Sequence, residues 1–475
     1  MIIDGAILAA GFGTRMASPV PKMESVVLGE PLISYPFRAM NSLEGLLGTI
    51  FVVSRPEGFT RDMGLRLPGG EPPAIVVQPA MDGTWGAVEA VALFEGFRSG
   101  AATHLLVVNG DGPMIDGPLL RRFVSEAAEA PESLLVATAE LSNPRGYGRM
   151  IRDASGAIVD IREESRASEE EKRIREVNAG FYLIPRVILE GAVSKIPVDP
   201  VKKERFLTAL IARVASEGGR ICAFSVDPEC MTGVNSQEDL AQVTRLLRQR
   251  INRGHMARGV TFWDPERTDV GPEVVIGPGT VIMPQTVLEG KTVIGASCRI
   301  GLGVHLSDSV VEDQATIRDY VVAAQARCRK GSVVGPFAHL RPGTDLGTEA
   351  HLGNFVETKK ALIGPGAKVN HLSYIGDAQI GSKTNIGAGT ITCNYDGYGK
   401  FRTTIGDEVF IGSDTQLVAP VSVGDRAVIG AGSTIVSDVP EDALVLSRSR
   451  QENRPAGGER YHKRRRDSQK GKNQE

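Results

Sequence analysis

The chain has 475 residues, more than one hydrophobic core normally serves, so the length alone suggests about two or three domains. Hydrophobic residues make up 41% and charged residues 23%, while aromatics reach only 5% and glycines number 55, a balance that favours many tight turns over thick aromatic cores. With 54 basic against 57 acidic side chains and a net charge of -3, nothing global draws the chain to nucleic acid or to an anionic membrane, which leaves small molecules as its expected ligands.

The N-terminus carries Asp4 and a glycine-rich turn where a secretory signal needs basic residues and a cleavage site, and no apolar run approaches membrane-spanning length. Five cysteines, Cys222, Cys230, Cys298, Cys328 and Cys393, form no CxxC pair, so neither a disulfide framework nor a zinc knuckle is indicated. A reducing, cytoplasmic location is the expectation. From Met1 to about Cys230, short apolar runs (AILAA, TIFVV, AIVVQ, HLLVVNGD, LLVATAEL) alternate with helical patterns, which predicts an α/β fold with a mostly parallel sheet covered on both faces. Helices are expected over Gly86 to Phe97, where Val88, Val91, Ala92 and Phe94 form a stripe, and over Asp116 to Ala128. A connecting helix is expected between Asn235 and Ile251, on Leu240, Val243, Leu246, Leu247 and Ile251.

After Gly259 the period changes to six. Aliphatic residues fall at Ile276, Ile282, Leu288, Ile294, Ile300 and Leu306, resume in a new phase at Val334, Leu340, Leu346 and Leu352, run again through Ile363, Val369 and Ile375, and return at Ile405, Ile411, Leu417, Val423, Ile429 and Ile435. One inward aliphatic per hexad, followed by a turn, closes a triangular coil in three hexads, and stacked coils form a parallel β-helix. A β-sandwich would instead alternate with period two. The break from Thr392 to Thr404, containing CNYDGYGKFR, suits a loop that reaches a ligand or a neighbouring subunit. Beyond it, the basic cluster His462 to Arg466 with Lys470 and Lys472 lacks apolar periodicity and reads as a solvated, mobile tail. The expected boundaries are 1–229 for the sheet domain, 230–258 for the linker, 259–447 for the β-helix and 448–475 for the tail.

The chemistry begins at LAAGFGTRM, which follows the first strand and is followed by Pro21 and Lys22. Glycine-rich backbone at a strand end lets N–H groups approach a phosphate, and Arg15 and Lys22 can neutralise its charge. It is not a Walker loop, and Met16 stands where a dinucleotide fingerprint needs glycine. Read alone, a lone GxG is more simply a plain β-turn. Asp111, at the end of HLLVVNGD, can hold Mg2+ against phosphates or simply cap a helix.

Taken in order, LAAGFGTRM, Pro21-Lys22, Gly110 to Pro113, GYGR at Gly146 to Arg149 and VNAG at Val177 to Gly180 resemble sugar-1-phosphate nucleotidylyltransferases. With LRPGTDLG, HLGNFVETKK, NHLSYIGDA, NIGAGTITCNYDG and GSDTQLVAP, the chain up to about Arg448 resembles the bacterial bifunctional N-acetylglucosamine-1-phosphate uridylyltransferase and glucosamine-1-phosphate N-acetyltransferase family. The resemblance implies a Rossmann-like nucleotidyltransferase domain followed by a left-handed parallel β-helix. It implies that Leu8, Ala9, Ala10, Gly11 and Lys22 contact UTP, that Gln78, Gly83 and Thr84 hold the uracil side, and that Asn109 belongs to the same site. Gly148, Glu163 and Asn178 would hold the N-acetylated sugar, Asp111 and Asn235 Mg2+, and Arg15 and Lys22 the charge of the reacting phosphates. In the second half it implies His371 as general base, Arg341, Lys359, Tyr374 and Asn385 on glucosamine 1-phosphate, and Ala388, Asn394, Tyr395, Ser413, Ala431 and Arg448 on acetyl-CoA. A homotrimer with sites between subunits is implied as well.

This chain departs from the family pattern at Gly83-Thr84-Trp85-Gly86-Ala87, which sets an aromatic beside the expected base site, and at Met23-Glu24-Ser25 after Lys22. The stretch KKERFLTAL from Lys202 also lacks the family's tyrosine-rich motif with its aspartate. Two other readings remain open at this point, a nucleotidylyltransferase whose β-helix only regulates or oligomerises, and a noncatalytic nucleotide-sugar scaffold.

Overall fold

The computed structural model describes residues 1–472 apart from 12, 61, 79–82 and 201, and their side chains apart from those at 467, 468 and 470–472. The chain divides into two compact units, Met1–Ala257 with Pro265–Glu273, and Arg258–Asp264 with Val274–Glu475.

The first unit is built on strands β1 (Ile3–Leu8), β2 (Leu47–Ser54), β3 (Ala74–Val77), β4 (His104–Asn109), β5 (Leu134–Glu140), β6 (Arg149–Arg152), β7 (Ile158–Arg162), β8 (Glu176–Pro185) and β9 (Ile221–Ser225). They lie in the order β9-β5-β8-β4-β1-β2-β3, with the β6–β7 hairpin attached to β8. β8 is antiparallel to β4 and β5, whereas the other neighbours along the sheet are parallel. The strands read as continuous apolar runs because both faces are covered. Ala6, Phe51, Leu105 and Val136 enter one core, and their neighbours Ile7, Val52, Leu106 and Leu135 enter the other. The first strand begins earlier than its apolar run suggests, because the Asp4 carboxylate is satisfied in place by Thr49 N–H at 2.9 Å.

The helix expected from Gly86 to Phe97 is two helices, Thr84–Leu93 and Glu95–Arg98, interrupted at an extended Phe94. The interruption lets Phe94 and Phe97 both meet Phe51 edge-on, at 5.7 and 6.2 Å between centroids. The helix Gly117–Ala127 starts where Asp116 accepts from Leu119 N–H at 2.9 Å. The expected connecting helix, Gln237–Met256, opens on a capping box formed by Ser236 and Asp239. Its stripe does more than connect, since Val243 and Leu247 pack with Met16, Val27, Leu32 and Met114 of the same unit.

In the second unit, strands of two to seven residues wind into a parallel β-helix. Every aliphatic of the expected hexads is buried, and burying each one contributes about 1.5–3 kcal/mol. Register explains the phase breaks. Val275 pairs with Val293, 18 residues on, but Val293 pairs with Val310, 17 on, so the coil shortens by one residue. Val311, Ile317, Ala323 and Cys328 fill the interior where the hexads fall silent. Asn385 pairs with Phe410, 25 on, so eight residues beyond the 17 separating Lys368 from Asn385 leave the coil as the loop between Cys393 and Thr403.

The polar stretch expected to be a solvated, mobile tail forms a helix, Gly457–Lys472, whose described residues are exposed apart from Gly457. Arg, Lys and Glu are good helix formers without an apolar stripe, which periodicity cannot register. The side chains of Lys470 and Lys472 lie outside the described residues. Among the described residues no helix is long and apolar enough to cross a membrane.

Candidate functional sites in the two units

At the carboxyl ends of β1 and β4, Leu8 pairs with Asn109, so the segments that follow them emerge side by side. Crevices beyond the strand ends of such sheets are where ligands bind. Here a cleft of about 410 Å3 is bounded by Leu8, Ala10 and Gly11 on one side and by Asn109 and Asp111 on the other. Lys22 stands on a short turn, Lys22–Glu24, with its ammonium in the same cleft. It donates to Asp111 Oδ2 at 2.5 Å and to Asn235 Oδ1 at 3.4 Å, and Arg15 donates to that same Asn235 oxygen at 3.0 Å. Four expected residues from distant parts of the sequence therefore converge. Asp111 faces the lysine, so it is not the helix cap that its sequence position allowed. Beneath the turn the buried Glu24 carboxylate accepts from Thr60 N–H at 2.7 Å, so the departure after Lys22 is an internal anchor.

Gln78, Gly83 and Thr84 also line this cleft. Gln78 donates to Gly83 O at 3.0 Å, and Thr84 Oγ1 accepts from Leu207 N–H at 2.9 Å. Gly83 sits at φ +100°, and a Cβ there would fall 2.5 Å from Arg205 O, so a side chain is excluded. Trp85 does not flank the cleft, contrary to its expected place beside the base. Its side chain is fully buried with Val88, Val91 and Val107, because the helix turns that position towards the sheet. Ala9 likewise points into the opposite core.

A second cleft, of about 230 Å3, shares Leu8, Thr84 and Asn109 with the first and adds Glu163, Asn178 and Tyr182. Glu163 accepts from Thr208 Oγ1 at 2.8 Å, and Asn178 donates to the Tyr182 hydroxyl at 2.6 Å. Burial pushes the Tyr182 phenol well above its ordinary value, so it stays protonated. Gly148 closes over the pair, its missing Cβ aimed at Glu163 and Asn178 and blocked by Ile161. Besides Tyr182, the lining residues that escaped the sequence reading include Glu204 in the first cleft and Phe206, Leu207 and Thr208 in the second, a group from one segment. These come from KKERFLTAL, and no periodicity marks them because they precede the helix Ala209–Ser216.

In the β-helix the expected residues fall into register columns. His371 is paired with Asn354 one coil earlier, and its Nδ1 lies 2.7 Å from Asn354 Oδ1. Gly389 N–H reaches His371 O, Asp414 N–H reaches Ala388 O, and Gly432 N–H reaches Ser413 O, so Ala388, Ser413 and Ala431 follow His371 on successive coils. Neighbouring coils are about 4.8 Å apart. Arg448 ends the series by donating to Ala431 O at 2.9 Å.

On the other sheet, Arg341 pairs with Glu357 at 2.9 Å, Glu357 is in register with Tyr374, and Lys359 with Gly376. The ammonium of Lys400, from the inserted loop, lies beside Lys359 and holds it below the ordinary lysine value. Lys400, with Asp377, Phe401 and Arg402, also walls a hollow of about 370 Å3, and no spacing rule pointed to it. Asn394 donates to Asp377 Oδ2 at 2.5 Å, and the exposed Tyr395 donates to Gly397 O at 2.7 Å. Asn385 is not gathered with Tyr374. It stands on the sheet that carries His371, in register with Lys368 and Phe410.

Residues 5–176 match the MobA-like NTP transferase domain, and residues 402–437 match the bacterial transferase hexapeptide repeat. The chain is 41% identical over 453 residues to the bifunctional protein GlmU of Pelobacter propionicus, covering 95% of this chain and 97% of that protein. It is 42% identical over 454 residues to its counterpart in Methylococcus capsulatus, covering 95% and 96%. With that of Sorangium cellulosum it shares 39% over 476 residues, covering 98% of each.

Proposed function

The chain belongs to the family of bifunctional GlmU proteins, and from that premise we propose that it makes UDP-N-acetylglucosamine by two transfers, one on each unit. The β-helix moves an acetyl group from acetyl-CoA to glucosamine 1-phosphate, and the wound sheet joins the product to UTP. The observation that carries the reading is the convergence of Lys22, Asp111, Asn235 and Arg15 at the mouth of one cleft.

In uridylyl transfer, a phosphate oxygen of the sugar 1-phosphate attacks the α-phosphorus of UTP. A new P–O bond forms as the bond to the bridging oxygen breaks, and pyrophosphate leaves with the electron pair. Lys22 and Arg15 neutralise charge on the transferring group, while the adjoining cleft with Glu163, Asn178 and Gly148 orients the sugar. Asp111 Oδ2 and Asn235 Oδ1 both face one cation, the Lys22 ammonium, and a carboxylate with an amide oxygen is the sparse hard-oxygen set that Mg2+ takes. Asp111 and Asn235 would hold it, where it would supply charge neutralisation at the phosphates.

For acetyl transfer, with Nδ1–H donated to the Asn354 carbonyl, His371 keeps the Nε2 lone pair for the amine. As the sugar nitrogen attacks the thioester carbonyl, Nε2 takes its proton, the C–S bond breaks and CoA leaves as the thiol after protonation. The column Ala388, Ser413, Ala431 and Arg448 is small at its centre and cationic at its end, which suits an extended acetyl-CoA. Arg341, Lys359 and Tyr374 take the sugar phosphate, and Asn394 and Tyr395 border the cofactor from the loop. The protein works as a homotrimer in the cytoplasm. Supporting contact with another copy, Tyr320, Phe337 and Phe355 stack in parallel at 5.2 and 5.4 Å on successive coils, remain exposed, and lead to an exposed Leu372 beside His371. Asn385, set apart from Tyr374 within one chain, reaches a sugar phosphate held by a neighbouring copy.

The test is to supply purified protein with UTP and N-acetylglucosamine 1-phosphate, and separately with acetyl-CoA and glucosamine 1-phosphate. Pyrophosphate in the first assay and free thiol in the second are expected. Absence of either removes that half of the reading.

A further inference from the structure

The turn after β7 brings Glu163 into the second cleft, the GYGR segment packs behind it with Gly148 against Glu163 and Asn178, and a buried cation joins the two segments. Arg149 opens β6, pairs in register with Val177 of β8 and Arg162 of β7, and is only 1% exposed. A buried guanidinium costs stability wherever its donors lack partners; here Nη1 and Nη2 are bonded and only Nε is not. Its Nη1 donates to Tyr147 O, within the segment that carries Gly148. Its Nη2 donates to Glu164 Oε2 at 2.6 Å and reaches Lys172 O at 3.5 Å. The same Glu164 oxygen accepts from Gly146 N–H at 3.3 Å, so the carboxylate grips the segment from both ends. Glu164 adjoins Glu163, whose carboxylate enters the cleft and accepts from Thr208.

We propose that Arg149 and Glu164 are positioning residues for uridylyl transfer, a latch that fixes Gly148 and Glu163 at the spacing the sugar requires without touching it. The proposal rests on the reading of the sheet unit as the uridylyltransferase and adds the device that sets its affinity for the sugar. The latch acts on one side of the site only. The triphosphate end is held by Lys22, Arg15 and Asp111, none of which bonds to Arg149 or Glu164 in the hydrogen bonds described. Releasing the latch therefore raises KM for the sugar phosphate and leaves KM for UTP in place. The hydrogen bond from the Arg149 guanidinium also holds the Glu164 carboxyl below its ordinary range, which favours the charged form that the latch uses.

The experiment uses the full chain and compares Glu164→Gln with Glu176→Gln. Glu176, at the start of β8, takes a pair of bonds from Arg152 of the same hairpin, at 2.8 and 2.9 Å, away from the Gly146–Gly148 turn. Initial rates of pyrophosphate release are measured against N-acetylglucosamine 1-phosphate and against UTP, with the melting temperature of the sheet unit as the check that it is folded. Glu164→Gln should raise KM for the sugar phosphate roughly tenfold with kcat changed less than about threefold, while Glu176→Gln leaves both alone. Arg149→Lys keeps the charge but loses the fork, and should show the same split in milder form. An unchanged KM in Glu164→Gln, or an equal rise in Glu176→Gln, overturns the latch. No pyrophosphate from the unmodified protein would instead overturn the uridylyltransferase reading itself.

Discussion

The two units place their polar groups by opposite means. In the wound sheet, Arg15, Lys22, Asp111 and Asn235 are brought together by tertiary folding, and the lysine side chain is 8% exposed. In the β-helix, His371, Ala388, Ser413 and Ala431 follow one another because the coil repeats, and His371 stays exposed on its edge. A site made by convergence is enclosed within one chain, whereas residues placed by repetition stand on an open ladder. The difference has energetic consequences, because charges inside a cleft act on a ligand with little competition from water while charges on a coil edge are screened.

The largest expected effect sharpens that division at the exposed end. His371→Ala should slow acetyl transfer by about 10²–10⁴ and leave uridylyl transfer unchanged, as thiol release and pyrophosphate release measure separately. Asp111→Ala should do the reverse, costing uridylyl transfer about 10²–10³ with thiol release intact. A loss in both assays from either substitution would break the division.

Within the β-helix, stability separates inward from outward positions next. Ile300 is fully buried on a ladder between Ile282 and Ile317, and Ile300→Ala should cost the β-helix about 2–5 kcal/mol in denaturant unfolding followed by circular dichroism. Val322→Ala, at a position 43% exposed on the same coils, should cost less than about 0.5 kcal/mol.

The smallest effect is on pH. Burial holds the His104 imidazole below 6.5, with Nε2 2.8 Å from Pro131 O. Above pH 6.5 neither the folded nor the unfolded form is charged there, so nothing is lost. As pH falls below 6.5 the unfolded chain takes up a proton that the folded one still refuses, and the sheet unit loses stability. His104→Gln should flatten this acid-side decline in melting temperature for the sheet unit and leave the β-helix transition where it was.

The β-helix was the more legible of the two in sequence. Inward aliphatics at every sixth position, such as Ile405, Ile411 and Leu417, impose a period that few other folds share, and all three are buried. Where Val311, Ala323 and Cys328 hold the interior, the coil had shortened by one residue, and a strict count of six loses the phase. In the sheet unit the strands were legible as apolar runs, but the partners of a converging site were not. Lys22 and Asn235 lie 213 residues apart, and composition cannot bring them together. The glycine-rich strand end had pointed to Lys22, resemblance to a family supplied Asn235, and the resemblance erred in emphasis at Trp85, where a departure from the pattern marked a core residue. Arg149 and Glu164 carry no motif of their own. Their importance lies in hydrogen bonds that exist only once β6 and β7 have paired.

The most direct measurement mixes the two crippled proteins. Asp111→Ala and His371→Ala should each convert glucosamine 1-phosphate, acetyl-CoA and UTP into UDP-N-acetylglucosamine slowly, and a mixture of the two should restore the conversion, because each supplies the transfer the other lacks. A mixture that stays slow, though each variant keeps its own half-reaction, would contradict two separable sites joined by a diffusing amino-sugar phosphate.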